Sequence, residues 1–441
     1  MSGFLSFLQH MNSFLWGGPL LLLLCFTHGY FSWRTHFIQK KLPKALSLSI
    51  TKDKNNSTLS TKTTYGLNSF ASLATTLAAT LGTGNIIGIS TAIAFGGPGA
   101  VFWCWITGVF GMATSYVECY LSLYFRQKRA DGSFYGGPMY LMKCQLNRPK
   151  LATFYAYLLL ASSFCVGCST QSQAVTDTLH TLFHIPKFIS GILLAILIGL
   201  VLLKGLKGIG TVCTFLVPAM GFFYLFACII LLFFHIEYLL DALKLILSSA
   251  FSFSSVSGGL LGSSFLLSAR YGIARGLFTN EAGLGSAPVT AANSGGEANQ
   301  QALVLMSATF WDTVVMCGIT GLVIVSAEVA SPQLFTTYSA GDYTFAVFSV
   351  LPFGSQILAI SIVFFAMATL LGWSFFGEKA TEFLFGIEPI KTYRFLYCCM
   401  IFVGSQMTLS LVWELSDFLN ALMILPNILS LFLLQKYLPK N

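Results

Sequence analysis

Apolar positions along this chain fall in long unbroken runs, with polar residues gathered in the gaps between them. A strand half-buried in a soluble protein would alternate, and a surface helix would show one apolar stripe; continuous runs instead predict helices with an apolar medium around them. Crossing about 30 Å of hydrocarbon takes roughly 20 such residues. Runs bounded by charge predict eleven spans, near 14–31, 66–95, 100–125, 151–176, 188–203, 211–234, 242–268, 301–327, 354–376, 395–412 and 417–437. No long polar segment is left over, so 1–441 reads as one all-α polytopic membrane domain. A transmembrane barrel is excluded because its strands alternate apolar and polar positions.

Composition agrees with the pattern. Hydrophobic residues are 55% of the 441 and charged residues 9%, where soluble chains carry about 25% charged residues. Too little charge is present to solvate a surface, which excludes most soluble enzymes and disordered scaffolds. The net charge of +8 could indicate a polyanion, but its placement says otherwise. With eleven spans, 22 of the 24 basic residues fall on one side, and only Lys187 and Lys244 on the other. Basic residues concentrate in cytoplasmic loops, so the N-terminus is expected outside and the C-terminus in the cytoplasm. No nucleic-acid partner is needed. Residues 1–13 hold no Lys or Arg and no small-residue cleavage site follows the first run, so that run is expected to be a retained helix, not a signal peptide. The overlapping sequons at 55–58 lie in the most basic gap and are read as inert.

Two spans carry clustered glycine: GTGNIIG at 82–88 and SGGLLGSS at 257–264. Glycine weakens a helix interior by about 1 kcal/mol relative to alanine, and unwound backbone at membrane depth survives only beside protein or a water-filled cavity. Setting the first span aside, the interruptions occupy the first and sixth of ten spans. Matched breaks in two halves predict an inverted five-plus-five repeat, about 66–234 and 242–437, with one extra helix at 14–31 and a transport site at the midplane. Freed amides at a half-helix N-terminus suit a carboxylate, and freed carbonyls suit a cation. Close helix packing through Gly84-x-x-x-Gly88 is the competing explanation. A dinucleotide fingerprint is rejected, since the glycine spacing is one residue too long and no strand flanks it.

Ionisable residues at membrane depth are functional candidates by default. Glu118 and Asp312 are the clearest. Structural pairing near the cytoplasmic end, eight residues before Arg126, competes with function for Glu118. Helix capping at Trp311-Asp312-Thr313 competes for Asp312. Gln171 could reach a substrate carboxylate, Thr369 could ligate a cation, and Trp373 could wall a small pocket; inter-helix pairing, a local backbone bond and aromatic packing are the alternatives. The eleven cysteines and six histidines form no redox or metal pattern, and Cys165-x-x-Cys168 has no second pair. No transition-metal site is expected.

These residues resemble the alanine/glycine:cation symporter family, of the wider amino-acid–polyamine–organocation transporters. The resemblance runs over nearly the whole chain. It is carried by AATLGTGNIIG at 78–88, GGPGAVFW at 96–103, DGSFYGGPMY at 131–140, ARGLFTNEAGLGSAP at 274–288 and LGWSFFGE at 371–378. It implies a secondary transporter that imports small neutral amino acids such as alanine and glycine together with a cation by alternating access, with no further cofactor. Sodium is favoured as that cation over the proton. By position it implies substrate contacts at Thr83, Gly84, Asn85, Gln171, Gly258, Gly259 and Trp373, and cation contacts at Ala78, Leu81 and Thr369. Two positions depart from the pattern: Ala368 replaces a hydroxyl residue before Thr369, and Cys168 replaces an asparagine. The string at 274–288 falls on the cytoplasmic side of the eleven-span topology and is read as loop or gate architecture. A proton-coupled transporter, a channel and a non-transporting amino-acid sensor are the rivals on this fold. A membrane enzyme would need a nucleophile–base pair or metal cluster, and none is present in the sequence; the expectation is a non-enzyme whose partners are a small amino acid and membrane lipid.

Overall fold

The computed structural model describes residues 2–50, 67–130, 132–252, 264–336 and 338–439. The chain enters as α1 (Ser2–Gly17) and α2 (Pro19–Arg34), followed by the short α3 (Leu42–Ile50). Next come α4 (Ser69–Thr80), α5 (Ile87–Gly96) and α6 (Gly99–Tyr124). A two-stranded hairpin pairs Gln127 with Tyr135 and Lys128 with Phe134, and leads through the turn α7 (Pro138–Tyr140) to α8 (Pro149–Phe164) and α9 (Thr170–Phe183). Then follow α10 (Lys187–Leu202), α11 (Gly205–Phe234), α12 (Leu239–Ala250), α13 (Ser264–Asn280) and α14 (Ala287–Ala292). The remainder is α15 (Ala298–Thr309), α16 (Gly318–Ala330), α17 (Tyr343–Phe348), α18 (Gly354–Phe385), α19 (Ile390–Ser405) and α20 (Leu409–Leu434).

Local sequence explains several helix starts. Pro19 and Pro149 open α2 and α8, where a missing N–H costs nothing. The Asn68 side chain caps α4 by accepting from Ala71 N–H at 2.7 Å. Pro218 and Pro426 sit inside α11 and α20, which helices packed among neighbours tolerate.

Seven stretches among the described residues are long and apolar enough to cross a bilayer: Gly3–Arg34, Gly99–Tyr124, Pro149–Phe183, Gly205–Phe234, Ala298–Ala330, Gly354–Phe385 and Leu409–Tyr437. The chain is an integral membrane protein built from helices. Helices Ser69–Thr80 and Thr83–Gly96 pass the same test only as a pair bent by 63°, so the interruption expected at 82–88 is a real bend. The expected span 242–268 is not one helix. α12 stops at Ala250, where Phe251 N–H turns back to Ser248 O, and α13 starts at Ser264. Gly258 and Gly259 lie outside the described residues.

The centre of the bundle is α18, which packs against α4, α8, α9 and α11, while α6 packs against α13, α15 and α2. α10 and α11 face outward instead. Phe215 and Phe222 are 79% and 73% exposed, a surface that only lipid would solvate. α14 is tied back to the start of α4, because Leu67 N–H donates to Asn293 O at 3.2 Å and Gly295 N–H to Leu67 O at 2.9 Å.

Candidate functional site

The bend between α4 and α5 lies at the centre of the bundle. α4 ends when Leu81 turns extended (φ −73°, ψ 91°), and Thr83–Asn85 form a single tight turn before α5. Asn85 holds this turn from both ends of its amide. Its Oδ1 accepts from Gly82 N–H at 2.9 Å, and its Nδ2 donates to Asp312 Oδ1 at 2.7 Å. Asp312 therefore does not open a helix. It lies in a π-helical stretch, Phe310–Cys317, joining α15 to α16, and its second oxygen accepts from Thr313 Oγ1 at 2.7 Å.

Two further helices close on the bend. Gln171, in the first turn of α9, presents its carboxamide oxygen to Thr83, accepting from the backbone N–H at 3.2 Å and from Oγ1 at 3.1 Å. This oxygen takes the amide that the sequence offers to a carboxylate. Thr369 Oγ1 on α18 lies 3.1 Å from Leu81 O, and equally from Phe365 O one turn back. A methyl group added at Gly82 would sit 2.6 Å from Thr369 Oγ1 and 3.2 Å from Gln171 Oε1, so only a glycine fits where the three elements meet.

A second interruption faces the first, and it lies at 281–286. α13 ends at Asn280, and Glu281, Gly283 and Gly285 all have positive φ (56°, 97° and 84°), before Ser286 leads into α14. Every residue from 276 to 292 is buried. The turn is held by side chains from three other helices. Gly283 N–H donates to Glu118 Oε1 at 3.1 Å, Asn427 Nδ2 donates to Gly283 O at 2.9 Å, and Tyr155 Oη donates to Leu284 O at 2.8 Å. The string at 274–288, expected to be loop or gate architecture on the cytoplasmic side, is a buried helix and break.

Between the two interruptions lies a cavity of about 10 Å³, the room of roughly one water. Gly82, Gly84, Gln171, Thr369 and Trp373 line it together with Phe278, Thr279 and Glu281. Phe278 stacks on Trp413 at 4.9 Å, and the Arg275 guanidinium lies over the Trp413 ring at 4.5 Å, closing one side. A larger cavity of about 460 Å³, lined by Ile87, Gln173, Asp177, Phe345 and Leu409 among others, lies further along α9 and α20 and shares no lining residue with the small one.

Residues 1–441 match the sodium:alanine symporter family over their full length. The chain belongs to that family. It is 40% identical over 439 residues to the sodium/alanine symporter AgcS of Methanococcus maripaludis, covering 98% of this chain and 95% of the relative. It is 32% identical over 436 residues to the probable sodium/glutamine symporter GlnT of Bacillus subtilis, covering 96% and 87%. Among solved structures, a sodium-coupled sialic acid symporter in a substrate-bound outward-open state superposes with a TM-score of 0.54 at 11% identity, covering 91% of this chain and 87% of that one. That likeness shows the fold alone.

For this member of the sodium:alanine symporter family, the structure brings together Thr83, Gly84, Asn85, Leu81, Gln171, Thr369 and Trp373 from the residues singled out in the sequence. Ala78 is buried one turn before the bend; its neighbour Ala79 lines the cavity. Among the described residues Glu118 pairs with no cation. Arg126 turns to the carbonyls of Ser294 and Gly296, and Glu118 accepts from Gly283 N–H and from Asn427 Nδ2 at 2.5 Å. Cys168 points away from the cavity, its Sγ 3.7 Å from Tyr397 O. Reading the sequence missed Phe278, Thr279 and Glu281. The available signal was the Gly283-x-Gly285 pair after Asn280-Glu281, the same polar-plus-glycine signature that marked the first break.

Proposed function

We propose that the protein carries a small neutral amino acid together with sodium by alternating access. The observation that carries this reading is the pair of helix interruptions, 81–86 and 281–286, facing one buried cavity that, among the described residues, no Lys or Arg lines. In this reading the amides at Thr83, Gly84 and Asn85 receive the substrate carboxylate once the Gln171 carboxamide gives way. Carbonyls at the end of α13 receive the ammonium, and Trp373 limits the side chain. Sodium is held by Thr369 Oγ1 with carbonyls of Leu81 and Ala78. The relatives named for sodium with alanine and for sodium with glutamine support a neutral amino acid as cargo.

The architecture belonging to this reading has eleven spans: α1–α2 together, α4–α5, α6, α8–α9, α10, α11, α13–α14, α15–α16, α18, α19 and α20. The last ten form two inverted repeats of five, now with the second break in α13–α14, and the first is the extra helix. Arg270 and Arg275 then leave the cytoplasmic set, while the remaining basic residues still favour an outside N-terminus and a cytoplasmic C-terminus. The test is uptake by sealed vesicles containing purified protein. Labelled alanine or glycine should accumulate against its gradient when sodium is higher outside. Equal uptake with no sodium or proton gradient would reject symport in favour of a channel, and uptake driven by protons alone would reassign the cation.

A further inference from the structure

We propose that Glu281 is a positioning residue for substrate size, acting through Trp373. The inference rests on the transport reading above. Trp373 is fully buried on α18, one turn beyond Thr369. The root of its side chain cannot shift toward α8, because the π-helical turn Cys165–Ser169 presses directly against it. A methyl group at Gly167 would lie 2.0 Å from Trp373 Cβ and 2.3 Å from Cγ. With the root fixed, the indole's remaining freedom is rotation, and its one polar atom decides the angle. Trp373 Nε1 donates to Glu281 Oε1 at 2.9 Å.

Glu281 is itself tied down. Its other carboxylate oxygen accepts from Ser286 Oγ, across the second interruption, and its N–H donates to Leu277 O at 2.9 Å. It makes no ion pair among the described residues. Its φ of 56° is one that non-glycine residues seldom adopt and that surrounding structure must enforce. Any other residue with a Cβ would meet the same backbone cost, so differences among variants at 281 report the side chain. Glu281 and Trp373 both line the small cavity. The cavity as it stands has the room of about one water; once the Gln171 carboxamide gives way, glycine or alanine is admitted with the indole left in place. A larger side chain must rotate the ring, which strips the indole N–H from its buried acceptor. Selection against large amino acids therefore comes from the Glu281–Trp373 bond as well as from the ring's bulk.

The experiment compares the full-length protein with E281A, E281Q and W373F in vesicles, measuring KM and kcat for alanine and for leucine. E281A should shift the alanine-to-leucine ratio of kcat/KM toward leucine by about tenfold, within the range one or two methylenes are worth in a pocket. The change should reside mainly in the leucine KM. E281Q, whose carboxamide oxygen still accepts from the indole, should stay close to the parent. W373F should shift the ratio in the same direction, and adding E281A to it should move the ratio no further. A correctly inserted E281A with the parent ratio overturns the proposal, as does E281Q behaving like E281A. An equal loss for every amino acid in E281Q would make Glu281 a direct substrate contact and also overturn it. Should E281A not accumulate in the membrane, W373F decides: an unchanged ratio there refutes the indole's part. A parent protein that accumulates no amino acid under any gradient defeats the transport reading instead, which separates the two failures.

Discussion

Replacing Gly82 by alanine perturbs the point where three helices meet. Gly82 is extended (φ −133°, ψ −162°), a conformation open to any residue, so the added methyl acts only through contact. It would sit 2.6 Å from Thr369 Oγ1, 3.2 Å from Gln171 Oε1 and 3.4 Å from Gln171 Nε2. Overpacking of this kind costs about 1–3 kcal/mol. At 1.4 kcal/mol per decade that is about 5- to 150-fold in alanine affinity if the strain falls on the bound state. The worst contact is a single hydroxyl oxygen, so removing it should relieve most of the strain. In a double-mutant cycle, T369A should cost far less on the G82A background than on the parent, with a coupling of about 1 kcal/mol or more. Calorimetry with alanine at saturating sodium, on protein shown to be monodisperse, measures all four corners. Parent-like affinity in G82A, or strictly additive losses, would refute the claim that this glycine is required by contact.

T369A alone should raise the sodium concentration for half-maximal uptake more than it weakens alanine binding at saturating sodium; an unchanged sodium requirement would remove Thr369 from the cation site. Glu118 accepts from Gly283 N–H and Asn427 Nδ2 through one oxygen. E118A leaves two buried donors unpaired and should lower thermal stability in detergent by about 1–3 kcal/mol, whereas E118Q keeps an acceptor and should lose less. Equal losses in both would show that the carboxylate's charge, not its accepting oxygen, holds the second interruption.

The sequence by itself determined the solvent, the all-helical class and the first interruption. Each is a local property. An apolar run long enough to cross hydrocarbon is apolar whatever packs beside it, and Gly82, Gly84 and Gly88 stand out because the run around them is otherwise continuous. Gln171, Thr369 and Trp373, singled out in the sequence, line the cavity, although hydroxyls and indoles recur in the other spans and composition alone does not separate them. Pairings were not legible. Glu118 seemed destined for Arg126, eight residues on, but in three dimensions its partners are Gly283 and Asn427. Helix capping competed with a functional role for Asp312, whose carboxylate anchors Asn85.

Only the tertiary structure showed the interruption at 281–286; the glycines of the one expected at 257–264 lie outside the described residues. α13 carries Arg270, Arg275 and Asn280, and Glu281 follows it at once, so a search for lipid-compatible runs passes over it and settles on the more apolar stretch before it. That search assumes each helix faces the bilayer. α13 packs on α5 and α6, and its end is covered by α8, α18 and α20, so protein rather than lipid supplies its surroundings. Arg275 rests on an aromatic ring, and Glu281 finds its donors in an indole and a hydroxyl. Hydropathy reads the solvent a segment would need if it stood alone, and a segment enclosed by its own chain no longer has to meet that requirement.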